Sequence, residues 1–285
     1  MKKSGNIQRR KFLQLSALGV AGASFAFAGC STNKSSAAKK KIPVGVELYS
    51  VREDCKKDFP GTLAAIAKMG YPGVEFAGYW NRSAVEIKKM LDDNGLVACG
   101  SHTPSEMVLS PAKLQATIEF NQTIGNKFII VPDMTGKTRQ VWLDKAKEFN
   151  DLAAQLQPLG LSIGYHSHFH DFHLVEGEMP WNIFGENTSP DVILQLDTSN
   201  CCDGGGDPVA ELKKFPGRTR SIHIKPNGGG PEAVIGEDKI DWASVFEICE
   251  TTGGTQWYVM EHETSTQPLE TMRRTYAALK KLGKV

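Results

Sequence analysis

The chain has 285 residues, with 33 basic and 32 acidic side chains and a formal net charge of +1. This near balance, without a basic stripe interleaved with aromatic residues, argues against a nucleic-acid partner. Beyond Cys30 an odd number of cysteines remains and no C-x-x-C motif occurs. The cysteines therefore predict neither a complete disulfide framework nor a zinc knuckle.

The N terminus has the features of an export signal. A twin-arginine pair, Arg9 and Arg10, precedes an apolar run that is too short to remain a membrane span. The run ends in the sequence FAGC at 27–30, which resembles a bacterial lipobox with Phe in place of the usual Leu. We expect a periplasmic protein that contacts the membrane only through a lipid on Cys30, with a plain signal peptide or an N-terminal helix as the alternative. The predicted segments are a signal peptide (1–30), a tether (31–41) and a folded part (42–285).

The folded part alternates short apolar runs with longer segments whose apolar residues recur about every 3.6 positions. The short runs are typical of parallel strands buried on both faces. The segment 178–186 is short and irregular, which makes it the weakest link in the alternation. Strands are predicted at 44–49, 73–76, 97–101, 127–131, 161–166, 192–196, 221–225 and 256–261. Helices are predicted at 62–69, 83–94, 111–124, 140–156, 207–215, 242–250 and 268–282.

This alternation predicts a (β/α)8 TIM barrel, because eight strands, nearly all followed by a helical segment, fit into about 245 residues. A doubly wound open sheet is the alternative. Such a sheet would normally have a glycine-rich phosphate loop after its first strand, whereas this chain has ELYSVRED there. We therefore expect the barrel.

Side chains able to bind metal or move a proton follow almost every predicted strand. In a barrel these strand ends meet at one rim, where the chemistry of such folds takes place. The segment GYHSHFHDFH at 164–173 holds four of the seven histidines and could be a metal site, an acid/base site or a loop without chemistry. The strand-end residues are Glu47, Glu75, His102, Asp133, His166, His168, Asp197, Asn200, His223, Lys225, Glu261 and Glu263.

At these residues the chain resembles the sugar-phosphate isomerase/epimerase-like proteins of the xylose isomerase-like TIM-barrel superfamily. The motifs that carry the resemblance are GVELYSVRED, GYHSHFHDF, LQLDTSN, RSIHIKP and WYVMEHE, in the order of the strands. The superfamily also contains ketose 3-epimerases, inosose dehydratases, dehydroshikimate dehydratases, endonuclease IV and metal-dependent lyases of 3-keto-glycosides. The resemblance covers the chain from about residue 44 to its end.

The resemblance implies one divalent metal held by residues from strands five to eight, which are Glu, Asp, His and Glu in the epimerases. The last three correspond to Asp197, His223 and Glu261, and this chain has His166 in place of the first glutamate. A set that mixes imidazole nitrogens with carboxylate oxygens suits Mn²⁺, Co²⁺, Zn²⁺ or Fe²⁺ better than Ca²⁺. Replacing a glutamate by histidine weakens the transfer of a mechanism with two carboxylates, although histidine can still move a proton.

The remaining strand-end residues are assigned around this centre. His168 lies two positions after His166 and would face the same side of a strand. We therefore expect it to bind substrate or to act in acid/base catalysis. His166 and Glu261 are predicted to act in catalysis as well as ligation, and Lys225 to neutralise an oxyanion. His170 and His173 are expected to be loop residues without chemistry, and 227–231 a mobile lid. The predicted substrate contacts are Glu47, Glu75, His102, His168, Asn200 and Lys225.

These assignments predict an enzyme that binds a small sugar or keto-sugar without a phosphate. A metal there would stabilise the enediolate of isomerisation, epimerisation or elimination next to a ketone. Elimination or hydration of a 3-keto-glycoside is a serious alternative, and a non-catalytic sugar-binding lipoprotein is another. An endonuclease IV-like nuclease would need a larger set of metal ligands and a basic DNA-binding face, and this chain shows neither. The sequence leaves the oligomeric state open, a homo-oligomer included.

Overall fold

The structure, a computed structural model, describes residues 41–285. Eight parallel strands form one sheet in the order β6-β5-β4-β3-β2-β1-β8-β7. All eight predicted strands are present, and the nearly closed barrel confirms the predicted fold. The strands are β1 (Val44–Glu47), β2 (Gly73–Phe76), β3 (Val97–His102), β4 (Phe128–Val131), β5 (Ser162–His166), β6 (Ile193–Gln195), β7 (Ser221–Ile224) and β8 (Trp257–Met260).

Helices follow the strands and pack around the sheet, and all seven predicted helices are present within a few residues of their expected bounds. Short 3₁₀ turns lie at Leu48–Val51, Gln157–Leu159 and Phe169–Phe172. The α-helices are α1 (Arg52–Lys57), α2 (Phe59–Met69), α3 (Ala84–Asn94), α4 (Ser105–Leu109), α5 (Pro111–Ile124), α6 (Arg139–Leu156), α7 (Pro180–Asn187), α8 (Thr198–Asp203), α9 (Pro208–Lys214), α10 (Trp242–Thr251) and α11 (Pro268–Lys281).

The segment after strand five is more regular than its sequence indicates. Residues 180–187 form α7, where an irregular connection was expected. Pro180 lies in the first turn, where its missing N–H costs nothing. Trp181 and Phe184 are buried, with the Phe184 ring packed edge-on against Phe149 of α6 at a centroid distance of 5.0 Å. Tertiary packing therefore forms a helix that is too short to be stable alone.

Helix α3 shows how local sequence sets element ends. The Ser83 hydroxyl accepts a hydrogen bond from the Glu86 N–H, and the Glu86 carboxylate accepts one from the Ser83 N–H. This reciprocal cap satisfies two N–H groups that a helix end leaves without partners. The helix ends at Gly95, whose φ of +65° suits glycine because it has no Cβ.

The inside of the barrel is layered. Phe128, Ile130 and Ile193 form an apolar cluster that is separate from the large core between strands and helices. Gln195, two positions after Ile193 on the same side of β6, begins a polar layer above it. The layer of titratable groups therefore rests on an apolar floor and faces the C-terminal rim.

The barrel closes between β6 and β7 with few backbone bonds. The N–H of His223 donates to the carbonyl of Leu196 at 2.9 Å, and a single bridge pairs Asp197 with His223. The other end of this seam is held by Arg218, whose guanidinium donates to carbonyls of Val192, Gly185 and Thr188. The seam that closes the barrel thus contains two of the predicted metal ligands.

The predicted signal peptide, Cys30 and nearly all of the predicted tether lie outside the described residues. Within 41–285, no helix has the length and apolar character required to cross a membrane. The cysteines of this part are free thiols, and most are buried. They are Cys55, Cys99, Cys201, Cys202 and Cys249.

Candidate active site

The four predicted metal ligands lie together at the C-terminal rim. Each of His166, Asp197, His223 and Glu261 offers a ligand atom, and these atoms all lie within 4.8 Å of one another. All four side chains are buried. The residues come from the ends of β5, β6, β7 and β8, so the fold brings together positions that are distant in sequence.

The two carboxylate oxygens of Asp197 differ, because one caps a helix and the other accepts no hydrogen bond. Its Oδ1 accepts a hydrogen bond from the Asn200 N–H at 2.7 Å and so caps helix α8. Its Oδ2 is buried and has no hydrogen-bond partner. Burial raises the pKa of Asp197 to about 7, because the Lys225 ammonium offsets only part of the desolvation cost. A cation beside Oδ2 would supply the missing compensation.

His223 lies between two carboxylates. Its Nδ1 bonds to Glu261 Oε2, and its Nε2 lies 2.5 Å from Glu75 Oε2. Burial lowers the pKa of His223, but the charges of Glu261 and Glu75 outweigh burial and raise it well above its usual range. Burial likewise raises the pKa of Glu261, while Lys225 and His223 hold it well below the ordinary value. A carboxylate behind an imidazole is the arrangement that orients histidine ligands in metal sites.

Lys225 reaches the same centre from the end of β7. Its Nζ lies 3.3 Å from Glu261 Oε1, 3.6 Å from Asp197 Oδ2 and 3.0 Å from Glu263 Oε2. Burial disfavours its charge, yet these three carboxylates raise the pKa of Lys225 above its usual range. The ammonium is therefore retained in the site, as a role against a developing oxyanion requires.

His166 and His168 differ in their surroundings. His166 is buried, and burial, with the neighbouring His223, lowers its pKa well below the usual range, which favours the neutral form that binds metals. His168 follows the end of β5 and is half-buried, with its ring 5.0 Å from that of His166. Its Nδ1 is buried without a hydrogen-bond partner, and burial lowers its pKa. A neutral imidazole with a free nitrogen can accept a proton or a substrate hydroxyl.

Two residues predicted to contact sugar lie deep in the barrel. Glu75 is fully buried, and both its oxygens lie 3.1 Å from the Gln195 amide nitrogen. A side chain at Gly100 would collide with Glu75, since an added Cβ would stand 1.9 Å from its Oε1. Glu47 is also fully buried, with Oε2 unpartnered, and burial next to Glu75 raises its pKa well above the ordinary value. Contact of either carboxylate with sugar stays a prediction.

The other predicted contacts lie nearer the rim. His102 is half-buried, with Nε2 3.0 Å from Gln195 Oε1 and its ring stacked on His223 at 5.2 Å. The Asn200 amide donates to the carbonyl of Ser167 at 3.0 Å, which fastens the end of β5 to α8. With Glu47, Glu75 and His223, His102 also forms a second group of closely spaced ligand atoms.

Gln195 and Asp171 belong to the site but were not among the predicted residues. Gln195 contacts four polar side chains inside the barrel, and its only sequence signal is an amide within the apolar run Ile193-Leu194-Gln195-Leu196. Asp171 is fully buried and accepts hydrogen bonds from the Tyr165 hydroxyl and the His168 N–H, both at 2.7 Å. Burial raises the pKa of Asp171 to about 7.

The last two histidines of the segment 164–173 have surroundings that differ from those of His166 and His168. His170 Nε2 lies 3.0 Å from the carbonyl of Met134 and 3.6 Å from the exposed Asp133. His173 is exposed. The absence of a chemical role for His170 and His173 stays a prediction.

The predicted lid at 227–231 is anchored at its base. The Asn227 amide donates to Ser199 and to Asp203, and the Asn227 carbonyl accepts from the Lys239 N–H. Asn227 is half-buried, whereas the three glycines that follow it and Pro231 are exposed. Motion of these glycines stays a prediction.

An apolar cavity of about 390 Å³ adjoins the site at His102. Tyr79, Met107 and Phe120 supply much of its wall, and Ala116 lies at its exposed edge. Because His102 also contacts Gln195 in the polar cluster, one side chain is shared by the cavity and the site.

The strands of this (β/α)8 barrel end in buried, closely spaced titratable side chains. TIM-barrel enzymes have their active sites at this C-terminal end of the strands. Residues 63–282 match the xylose isomerase-like TIM barrel family, and the chain belongs to that family. This agrees with the resemblance found in the sequence motifs.

Bacterial relatives align with most of the chain. It is 23% identical to the rhizopine catabolism protein MocC of Rhizobium meliloti, over 76% of this chain and 78% of that protein. It is 23% identical to the inosose dehydratase of Geobacillus thermodenitrificans (strain NG80-2), over 72% of this chain and 82% of the enzyme.

Solved structures share the fold at lower identity. A sugar phosphate isomerase/epimerase from Parabacteroides distasonis ATCC 8503 superposes with a TM-score of 0.73 at 24% identity, covering 89% of this chain and 99% of its own. The IOLI protein, solved with a binding zinc atom, superposes with a TM-score of 0.68 at 13% identity, covering 85% of this chain and 99% of its own. At these identities the likeness shows the fold.

Proposed function

We propose that the protein is a divalent-metal-dependent isomerase, epimerase or lyase that acts on a carbohydrate or keto-sugar through an enediolate. The observation that carries the proposal is the buried cluster of His166, Asp197, His223 and Glu261, in which Asp197 Oδ2 has no hydrogen-bond partner. Its nitrogen and oxygen donors suit Mn²⁺, Co²⁺, Zn²⁺ or Fe²⁺. The predicted export signal supports a periplasmic, lipid-anchored location as part of this proposal.

The chemistry follows from what the residues can do. A bound divalent cation would act as a Lewis acid on a substrate carbonyl and favour the enediolate that forms when a neighbouring C–H is broken. Glu261 is ionised and can accept a proton, and His168, whose ring centroid lies 5.0 Å from that of His166, has an Nδ1 without a hydrogen-bond partner. Lys225 keeps a positive charge beside the carboxylates, where an oxygen gaining negative charge would be stabilised.

The histidine at position 166 distinguishes this chain from the two-glutamate epimerases that it resembles. A neutral imidazole in place of a carboxylate makes the ligand set less negative by one charge. We therefore infer that proton transfer uses Glu261 with His168, rather than a pair of glutamates, and that His166 acts mainly as a ligand.

Proton exchange tests the proposal. The metal-loaded protein is incubated with free ketoses and with 3-keto-glycosides in deuterated water, and the products are analysed by NMR. We expect deuterium at the carbon next to the ketone with the wild type, and none after Asp197→Asn or after chelation. A fully loaded protein that exchanges no proton on either substrate class would favour the non-catalytic sugar-binding alternative.

The apolar cavity beside His102 favours lyase action on a 3-keto-glycoside as the second candidate. A free sugar would leave this cavity of about 390 Å³ unfilled, whereas an apolar aglycone could occupy it. Ala116→Phe, at the exposed cavity edge, would narrow it without disturbing the core. If the candidate is correct, the variant loses aglycone release but keeps exchange with free ketoses. Equal release by variant and wild type would show that this cavity does not hold the aglycone, and deuterium uptake without release would exclude the lyase.

A further inference from the structure

We infer that Gln195 is a positioning residue that fixes which ring nitrogen of His166 carries the proton and thereby leaves Nε2 free to bind a cation. The consequence for metal binding rests on the proposed function, whereas the proton position depends only on the fold. The same amide sets the ring of His102.

The position of Gln195 in the barrel places its side chain among the polar groups of the site. It ends β6 directly opposite His166 in the β5–β6 register, and it is fully buried. Its side chain shares the inner face with Ile193 below and Asp197 above. A buried amide must satisfy its two N–H groups and its carbonyl oxygen within the barrel.

The partners determine how the amide is turned. On one side, Nε2 lies 3.1 Å from both oxygens of Glu75 and 2.9 Å from the Ser221 hydroxyl. Gly100 provides the space in which the Glu75 carboxylate lies, so this acceptor is held in place. A carboxylate accepts and never donates when ionised, and the amide nitrogen must therefore face Glu75.

With this orientation, the carbonyl oxygen faces two imidazoles. Gln195 Oε1 lies 3.1 Å from His166 Nδ1 and 3.0 Å from His102 Nε2. An amide oxygen can only accept hydrogen bonds, so both of these ring nitrogens carry a hydrogen. In a neutral imidazole the other nitrogen then holds the lone pair.

The consequence differs for the two histidines. His166 retains a lone pair only on Nε2, so Nε2 is its one nitrogen able to bind a cation with Asp197, His223 and Glu261. His102 retains its lone pair on Nδ1, where it can accept a hydrogen bond. Partners that fix a ligand's tautomer typically contribute about 10–100-fold to metal affinity.

Gln195 is the residue type that this geometry requires. Glutamate at 195 would place a second carboxylate against Glu75, and an aliphatic side chain would leave Glu75 and both imidazoles short of a partner. The glutamine amide combines N–H donors for the carboxylate with an oxygen acceptor for the two rings.

The inference is tested on the full-length protein, labelled with ¹⁵N at histidine and free of metal. Long-range ¹H–¹⁵N spectra, assigned with single His→Gln variants, should show the Nδ1–H form of His166 and the Nε2–H form of His102. The opposite form at His166 in the wild type overturns the inference, whatever any variant does.

Two variants then link the proton position to the metal. Gln195→Leu should shift His166 toward a mixture of forms and weaken Mn²⁺, Co²⁺ or Zn²⁺ affinity by about 10–100-fold in a competition titration. Ser221→Ala removes a partner of the amide nitrogen but neither imidazole contact, so proton positions and affinity should stay within about threefold of the wild type. Equal effects of both variants would indicate a general packing role and overturn the inference.

The two proposals fail in different ways. A wild type that binds no divalent metal, yet shows the predicted ring protons, contradicts the proposed function alone. Metal binding through Asp197 with His166 in the other ring form contradicts the role of Gln195 alone.

Discussion

Asp197 carries two tasks on its two oxygens. One oxygen caps helix α8, and the other is buried without a hydrogen-bond partner, 3.6 Å from the Lys225 ammonium, where it could bind a cation. The two tasks can be separated, because asparagine caps helices as well as aspartate does but lacks the charge.

Asp197→Asn should therefore keep the fold and lose the metal. We expect metal affinity to fall by more than the ~10–100-fold that loss of an outer partner causes. Affinity is measured by competition titration, and the unfolding curve checks the fold. Asp207→Asn is the matched control, because Asp207 caps helix α9 in the same way through the Val209 N–H. Retained affinity in the Asp197 variant would remove this residue from the ligand set.

Asp171 predicts a pH dependence of stability. Burial raises its pKa in the folded protein to about 7, above the ordinary value of 3.8. The folded state therefore holds the proton more tightly, so the stability from this group is fully present below about pH 4 and is lost as the pH rises toward about 7.

Asp171→Asn should remove this dependence, because an amide can accept the same two hydrogen bonds without a charge. Urea unfolding at pH 5.5 and 8.5 should show the variant gaining stability relative to the wild type at the higher pH. Asp144→Asn, on the exposed face of α6, should show no such change. Parallel pH profiles for wild type and Asp171→Asn would mean that Asp171 is already ionised in the fold.

At the scale of elements, the seam between β6 and β7 is the distinctive feature. The strands are joined by a bridge at the rim and by Arg218 at the opposite end, whose Nη2 also donates to the Thr188 hydroxyl at 2.8 Å. The planar guanidinium serves these acceptors through a rigid fork of N–H donors, a geometry that a lysine ammonium does not reproduce.

Arg218→Lys should accordingly destabilise the barrel by about 2–3 kcal/mol, from lost charged hydrogen bonds to buried carbonyls. The free energy of unfolding in urea measures the effect. Arg273→Lys, which alters an exposed pair with Glu270 on α11, should change it by less than about 0.5 kcal/mol. A small effect at Arg218 would show that the helices, rather than this side chain, hold the seam closed.

At the scale of the whole molecule, metal binding should stabilise the entire barrel, because its predicted ligands come from four successive strands. A cation at 100 times its dissociation constant adds about 2.7 kcal/mol. For a domain of this size, that corresponds to a rise in melting temperature of about 5–10 °C. Thermal unfolding with Mn²⁺, Co²⁺, Zn²⁺ and Fe²⁺ tests this, with a chelator to reverse it. An equal rise in the His223→Ala variant would place the metal elsewhere.

Much of the architecture follows from the sequence. Eight apolar runs separated by helical periodicity predict a parallel sheet wrapped by helices, because strands buried on both faces and amphipathic helices leave few other arrangements. The polar residues that follow the strands likewise predict a rim with acid/base and ligand chemistry. His166 in particular ends β5, whereas His168, His170 and His173 follow the strand.

The tertiary structure decides which polar residues meet and what each one faces. Glu75 and Gln195 are 120 positions apart, and only barrel closure brings the carboxylate under the amide. The seam bridge likewise brings Asp197 to His223, from strands that share no ladder. Side-chain orientation depends on strand register and on the space left by residues such as Gly100. The local sequence pattern of a single chain specifies neither the register nor that space. The residue types of the site could therefore be predicted from the sequence. The proposed direction of the His166 lone pair could be inferred only from the folded structure.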